Sequence, residues 1–352
     1  MWHGTLRSDP VTSVTVRVPA KVNLQLSVGP RRDDGYHDLV NVFHAVSLFD
    51  EVTATDEPAT DEPAATGTDG PAATAGDAPA AASGTAASGT AAGGSAACEV
   101  TVSVHGDSAG LVPLDGENLA VKAALALAAR AGRPLRVHLA IRKAIPVAGG
   151  MAGGSADAAA ALVACNELWG LGLSREELMD IGAGLGSDVP FALFGGTAVG
   201  TGRGEKLTSI PVGGEFRWVF ALAEGGLSAA KVYGECDRLR EAAGEQVAWP
   251  RADEALTAAL AGGDARALGA ALVNDLQPAA LMLCHPLVRT LAAGRENGAV
   301  GALVSGSGPT CAFLVDSEAG AVNLASALRA AGVCRTTVTA HGPVPGAMIV
   351  PA

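Results

Sequence analysis

The run Pro146-Val147-Ala148-Gly149-Gly150-Met151-Ala152-Gly153-Gly154-Ser155-Ala156-Asp157 gathers four glycines into a short stretch that opens onto an alanine-rich segment. Glycine lacks a Cβ, so its main-chain N–H groups can approach a ligand closely and reach dihedrals closed to other residues. Alanine favours helix, and a helix start presents unpaired N–H groups at the positive end of its dipole. Together they make an anion site, for which a nucleotide phosphate is the usual biological occupant. The Ser155 hydroxyl is free to reach a phosphate or a Mg²⁺ ion. Spacing excludes the two commonest phosphate loops. Gly154, not Lys, precedes Ser155, so this is no Walker A loop. Gly149-Gly150-x-x-Gly153-Gly154 also departs from the dinucleotide fingerprint. A glycine-rich turn that serves tight helix packing is the plain alternative.

Other residues of chemical interest lie apart in sequence. Lys21 and Asn23 fall on an alternating stretch, two residues apart and so on one face of a strand; a lone lysine there also suits a solvent-facing position. Tyr36 and His37 stand in a charged loop, in a chain with two tyrosines and seven histidines. Asp188 lies between Gly186 and Pro190 at the start of a short helix, where it also suits an N-cap. Ser305-Gly306-Ser307-Gly308 reads as a tight turn between two strands.

The elements that position these residues can be read from periodicity. Residues 14–18 and 20–28 alternate as two strands separated by Pro19, and 40–52 is strand-like again. Residues 53–97 hold almost only Ala, Gly, Thr, Ser, Pro and acids, with no Lys, Arg or aromatic. Such a stretch buries too little apolar surface to offset its ordering entropy, and it is expected to be a disordered insertion in a hairpin loop. Strand pairing resumes at Cys98. A helix over 118–131 is closed by Gly132. A strand over 135–141 leads into the glycine loop and a helix from about Ser155 to Leu168. Ser174 and Glu177 form a capping box for the next helix. The second half alternates strands (216–223, 301–304, 311–315, 335–340) with helices (252–261, 265–273, 283–297, 324–331). The fold class is α+β with a mostly antiparallel sheet in the second half.

The chain has 352 residues, long enough for two domains. Its formal charge is −12, half of it from six acids in 53–97. Such a charge disfavours nonspecific binding to nucleic acid or an anionic membrane, so an anionic ligand needs a local positive site. No run of about 20 apolar residues reads as a membrane span, and the start lacks a signal-peptide core. The six cysteines are scattered, without a C-x-x-C pair, as in reduced buried thiols of a cytoplasmic protein.

Pro19-Ala20-Lys21-Val22-Asn23, Pro146 to Ala156 and Ser305-Gly306-Ser307-Gly308 together resemble the three motifs of the GHMP kinases, which phosphorylate small-molecule alcohols with ATP and without a Walker A loop. The resemblance spans about 11–345 apart from the low-complexity run. It implies a two-domain fold, 11–203 and 204–350, with a ligand cleft between an ATP-binding domain and an α/β-sandwich domain. Gly35-Tyr36-His37-Asp38-Leu39 and Leu185-Gly186-Ser187-Asp188-Val189-Pro190-Phe191 are similar to the branch whose acceptor is a cytidine diphosphate ester of methylerythritol. The resemblance further implies that Pro146 to Ala156 binds ATP, with Asn118 and Lys143 as further nucleotide contacts. Asp188 would receive the acceptor's proton, with Lys21 as the cation beside it. Asn23, Tyr36, His37, Tyr233, Gly306 and Ser307 would contact the acceptor, with Tyr36 and Tyr233 stacking on its base and the His37 imidazole hydrogen-bonding to the base edge. Mg²⁺ is expected from phosphoryl-transfer chemistry, with Ser155 as the one ligand suggested. Ala148, Met151 and Ala152 depart from the family's usual loop, and Ala229-Ala230 from its usual Thr-Pro or Thr-Ala pair. A homoserine or mevalonate type of alcohol kinase, or a nucleotide-binding sensor without catalysis, are the rival readings; Tyr36-His37 speaks against the first and Lys21 with Asp188 against the second.

Overall fold

Two strands of 19 residues, β1 (Ser13–Arg31) and β2 (His37–Thr55), form the spine of the molecule. In this computed structural model the described residues are 13–56, 81–84, 89–90, 97–132 and 135–351. β1 is one strand, not two. Its pairing with β2 jumps from Pro19–Phe49 to Ala20–Val46, so the residue without an N–H falls at an irregularity of the ladder.

The first part of the chain continues with β3 (Ala81–Gly84), β4 (Gly89–Thr90), β5 (Ala97–His105), α1 (Leu119–Ala131), β6 (Leu135–Arg142) and α2 (Gly153–Leu168). Then come α3 (Arg175–Leu185), α4 (Val189–Phe194), β7 (Thr197–Thr201) and β8 (Lys206–Ser209). The low-complexity run therefore divides. Residues 53–55 complete β2, and β3 and β4 pair antiparallel with β5. The rest of the expected insertion (57–80, 85–88 and 91–96) lies outside the described residues. β5 does not close a hairpin with β2, as was expected. β6 lies between them and runs parallel to β5, because α1 returns the chain by the crossover that parallel pairing requires.

The remaining elements are β9 (Phe216–Leu222), α5 (Ala229–Ala243), α6 (Glu254–Gly262), α7 (Ala265–Ala271), β10 (Val273–Asn274), α8 (Gln277–Leu283), α9 (Pro286–Glu296), β11 (Gly301–Val304), β12 (Cys311–Val315), α10 (Glu318–Ala330), β13 (Thr336–Gly342) and β14 (Met348–Ile349). β11, β12, β9 and β13 form a four-stranded antiparallel sheet. The helix expected over 283–297 starts only at Pro286, with Cys284 and His285 as the break after α8. Three short strands beyond residue 203 return to the large sheet: β8 pairs β7, and β10 and β14 pair β1. Val16 and Val18 of that sheet share a core with Trp218 and Phe220 of the small one.

α2 is the element on which the site depends. Ala156, Ala158 to Ala161, Leu162, Ala164 and Cys165 are all buried, which is how a helix without a polar face must sit. It packs against α1, β1 and β2, and its first residues, Gly153 to Ser155, line a cavity. No described helix is long and apolar enough to cross a membrane, and all six cysteines are free.

Candidate active site

The chain enters the glycine loop through a buried charge cluster. Asp50 of β2 accepts N–H bonds from Ala144 (2.6 Å) and Ile145 (2.9 Å). Lys143 Nζ donates to Asp50 and, at 2.8 Å, to Asp157 of α2. One ammonium thus ties β2, the loop entrance and the first turns of α2 together. Asp157 Oδ1 is buried without a partner among the described residues. Burial above all pushes the Asp157 carboxyl up to about 8, with Lys143 opposing and Asp50 adding to the rise. Its unfolded value lies near 4, so between about pH 4 and 8 the folded state holds a proton that the unfolded chain releases. Stability then falls as pH climbs through that window. Asp157→Asn is expected to flatten the fall, read as melting temperature from pH 5 to 8. Equal slopes in the two proteins would refute the buried proton.

The loop itself is shaped by left-handed residues. Gly150 has φ 77°, Ala148 51° and Ala152 61°. Ala152 is the N-cap, so α2 begins at Gly153, two residues earlier than the alanine run suggests. The two alanines stand at departures from the usual loop of the resembled family, and each costs of order 1 kcal/mol in this region. At Gly150 no side chain fits: a Cβ would lie 2.0 Å from the Ser305 carbonyl oxygen and 2.9 Å from Gly308 N. The glycine loop and the Ser305–Gly308 turn therefore meet backbone to backbone. Asn274 Nδ2 holds the third motif from the other side, donating to Val304 O and Gly306 O at 2.7 Å each.

Lys21 points into this junction. Its Nζ donates to Asn23 Oδ1 at 2.5 Å and Gly150 O at 3.0 Å, and lies 3.9 Å from Asp188 Oδ2. The solvent-facing alternative is thereby removed; the Lys21 side chain is 7 % exposed. Burial lowers the pKa of its ammonium, and Asp188 partly offsets this. Asn23 Nδ2 in turn donates to Asn41 Oδ1 at 2.8 Å. Asp188 precedes α4 but makes no side-chain capping bond, so the N-cap reading fails and its carboxylate is free to face the cavity. Gly306 (φ 54°) adopts a left-handed conformation that strains any side chain, and a Cβ there would crowd Gly150 O at 3.0 Å and Lys21 Nζ and Asn23 Oδ1 at 3.2 Å each.

These groups surround one cavity of about 450 Å³. Pro146, Ala148, Gly149, Gly150, Ala152, Gly153, Gly154 and Ser155 line it from the loop, and Lys21, Asn23, Asp188, Tyr233, Gly306 and Ser307 from around it. Val147 instead faces a separate hollow of about 220 Å³, and Met151 and Ala156 are core residues. Two expected nucleotide contacts have other work. Asn118 is buried; its Oδ1 caps α1 at Ala120 N and its Nδ2 donates to Pro113 O. Lys143 is buried in the carboxylate cluster and lines none of these hollows. Both are polar residues whose nearest partners lie in the protein, which spacing alone does not reveal.

The cavity continues into a second chamber of about 660 Å³, and Leu39, Ser187, Arg203, Ala229 and Tyr233 border both. Tyr36 and His37 are on its wall. Tyr36 is 57 % exposed, with the Arg203 guanidinium 5.5 Å from its ring centre. His37 is buried, stacked on Tyr233 and paired with Asp237. Sequence reading missed Arg203, Asn41, Asn274 and Asp237. Arg203 lies in a Gly-Arg-Gly-Glu crossing that is visible in sequence; the other three become evident only through their partners.

Comparison with known proteins agrees with this geometry. Residues 118–196 match the GHMP kinase N-terminal domain and 255–334 the GHMP kinase C-terminal domain. The 4-diphosphocytidyl-2-C-methyl-D-erythritol kinase of Thermobifida fusca is 58 % identical over 96 % of this chain and 99 % of its own length. That of Streptomyces coelicolor is 55 % identical with the same coverage. A crystal structure of a 4-(cytidine 5'-diphospho)-2C-methyl-D-erythritol kinase superposes with a TM-score of 0.65 at 27 % identity, over 93 % of this chain and 98 % of that one. A Leishmania major mevalonate kinase shares the fold alone, at a TM-score of 0.63 and 16 % identity over 97 % of this chain and 100 % of that one. With a glycine loop, a lysine–aspartate pair and full-length relatives in accord, the chain belongs to the GHMP kinase family, among the 4-diphosphocytidyl-2-C-methyl-D-erythritol kinases.

Proposed function

We propose that this chain transfers the γ-phosphoryl group of ATP to the 2-hydroxyl of 4-diphosphocytidyl-2-C-methyl-D-erythritol, giving the 2-phosphate and ADP on the non-mevalonate route to isoprenoids. The observation that carries this is the shared cavity. The glycine loop and the Lys21–Asp188 pair face the same space, and that space opens into a chamber with Tyr36 and His37 on its wall.

Phosphoryl transfer needs positioning and charge neutralisation more than covalent chemistry. The main-chain N–H groups around Gly149 to Ser155 hold the phosphates. Asp188 receives the proton of the acceptor hydroxyl. Lys21, fixed by Asn23 and Gly150 O, stabilises the negative charge that develops, and its dry setting strengthens that effect. Asn23 is itself oriented by Asn41 and binds the acceptor. Arg203, bordering both chambers, supplies the local cation that a diphosphate needs in a chain of charge −12. Tyr36 offers an exposed face to a base.

Among the described residues no group of three or more His, Cys, Asp or Glu could cage a metal. Mg²⁺ in kinases rests on one or two protein oxygens plus phosphates and water. Ser155 and Asp188 line one cavity and fit that pattern; Ser155 would hold the ion, which when bound neutralises phosphate charge.

An ADP-release assay tests the reading, with 4-diphosphocytidyl-2-C-methyl-D-erythritol, homoserine and mevalonate offered in turn. Turnover is expected with the first alone. Turnover of either small acid in its place would overturn the assignment.

A further inference from the structure

α5 directs two side chains onto the same ring. Tyr233 and Asp237 are four residues apart, on one face of the helix. Tyr233 stacks on the His37 imidazole with centroids 5.5 Å apart and planes inclined by 24°. Asp237 Oδ1 lies 2.8 Å from His37 Nε2. The imidazole is nearly enclosed, with its side chain 5 % exposed, and it forms part of the wall of the 660 Å³ chamber. An ionised carboxylate only accepts hydrogen bonds, so the proton at this contact belongs to Nε2. A ring whose one proton sits there keeps a bare lone pair on Nδ1, for which the structure shows no partner among the described residues. Plane and tautomer are both set by neighbours, the usual way a histidine is given a single hydrogen-bonding sense.

We propose that Asp237 is a positioning residue that fixes the tautomer of His37, so that the chamber reads an amino group on a pyrimidine and rejects a carbonyl in its place. The inference rests on the assignment of this chamber to the cytidine end of the acceptor. Cytosine carries an exocyclic amine that donates to a lone pair. Uracil carries a carbonyl at the same carbon, and two acceptors then face each other with neither satisfied. Sites built around one buried hydrogen bond discriminate strongly against an analogue that cannot make it. Asp237 does not touch the base; it acts through His37. Asp237→Asn exchanges an acceptor-only group for one that also donates. The imidazole can then carry its proton on Nδ1 and meet a carbonyl.

The test measures Kd for CDP and for UDP with the full-length wild type, Asp237→Asn and Asp237→Ala, alongside the ¹⁵N spectrum of the histidine ring. The wild type is expected to favour CDP by about 10²-fold and to show a protonated Nε2. In Asp237→Asn the preference should shrink below tenfold while affinity for an ATP analogue stays unchanged, a pattern that general loosening of the fold does not produce. An unchanged CDP preference in a folded variant overturns the proposal and leaves the kinase reading intact. Should neither variant fold, the wild-type spectrum decides, and a proton on Nδ1 overturns the proposal. Failure of the wild type both to bind CDP and to phosphorylate the cytidylyl acceptor overturns the underlying reading instead.

Discussion

Asp188→Asn is expected to lower kcat by about 10²–10⁴-fold, with KM for ATP changed little and the melting temperature nearly constant. The amide keeps the shape of the side chain and loses its charge together with the ability to take up a proton. Stability should hold because Asp188 caps nothing and is 29 % exposed at its side chain. Lys21 retains its bonds to Asn23 and Gly150 O in the variant, so the amine remains in place, and it loses the Asp188 charge that partly offsets its burial. Steady-state kinetics with both substrates saturating, joined to a thermal melt, checks this. A variant within threefold of the wild-type kcat would remove Asp188 from the chemistry. A loss of about 1 kcal/mol in stability with normal kcat would restore the capping role instead.

Lys143→Met is expected to destabilise the fold by about 3–5 kcal/mol, because it leaves a buried carboxylate without its counter-charge. Asp50 is fully buried and would be left with the N–H groups of Ala144 and Ile145 and the Asp157 carboxyl beside it. For a chain of this size the melting temperature should drop by roughly 4–7 °C. Adding Asp50→Asn to Lys143→Met should recover part of the loss, since the stranded charge is then gone. Denaturant titration of the two single variants and the double variant supplies the coupling. A Lys143→Met protein within 1 kcal/mol of the wild type would refute the view that this ammonium anchors the loop.

Much of the site was legible because its chemistry is backbone chemistry. Glycine marks where the main chain comes close, and Gly150 and Gly306 prove to be contact points between the glycine loop and the Ser305–Gly308 turn. The Lys21–Asn23 pair was legible from strand period alone. What was not legible depends on partners far apart in sequence. Lys143 looks like a phosphate-binding cation until Asp50, 93 residues away, is seen beside it. Asn118 looks like a ligand until its own helix uses it as a cap. α5 escaped notice because its buried stripe amounts to Val232 and Cys236, with Gly234 between them and a charged second half. With that helix went Asp237. The break before α9 reflects Pro286, which starts a helix better than it continues one. Pro19 misled for the opposite reason, because a register shift in β2 absorbs it.

The return of β8, β10 and β14 to the large sheet ties the end of the polypeptide to its beginning. The halves are laced, not hinged. Neither can swing away as an independent lid without breaking those pairings, and the first half loses three strands of its sheet when cut from the second. Entry and exit of a long nucleotide-linked acceptor must therefore rely on small adjustments of side chains at the rim, such as Tyr36 and Arg203, within an otherwise unitary body.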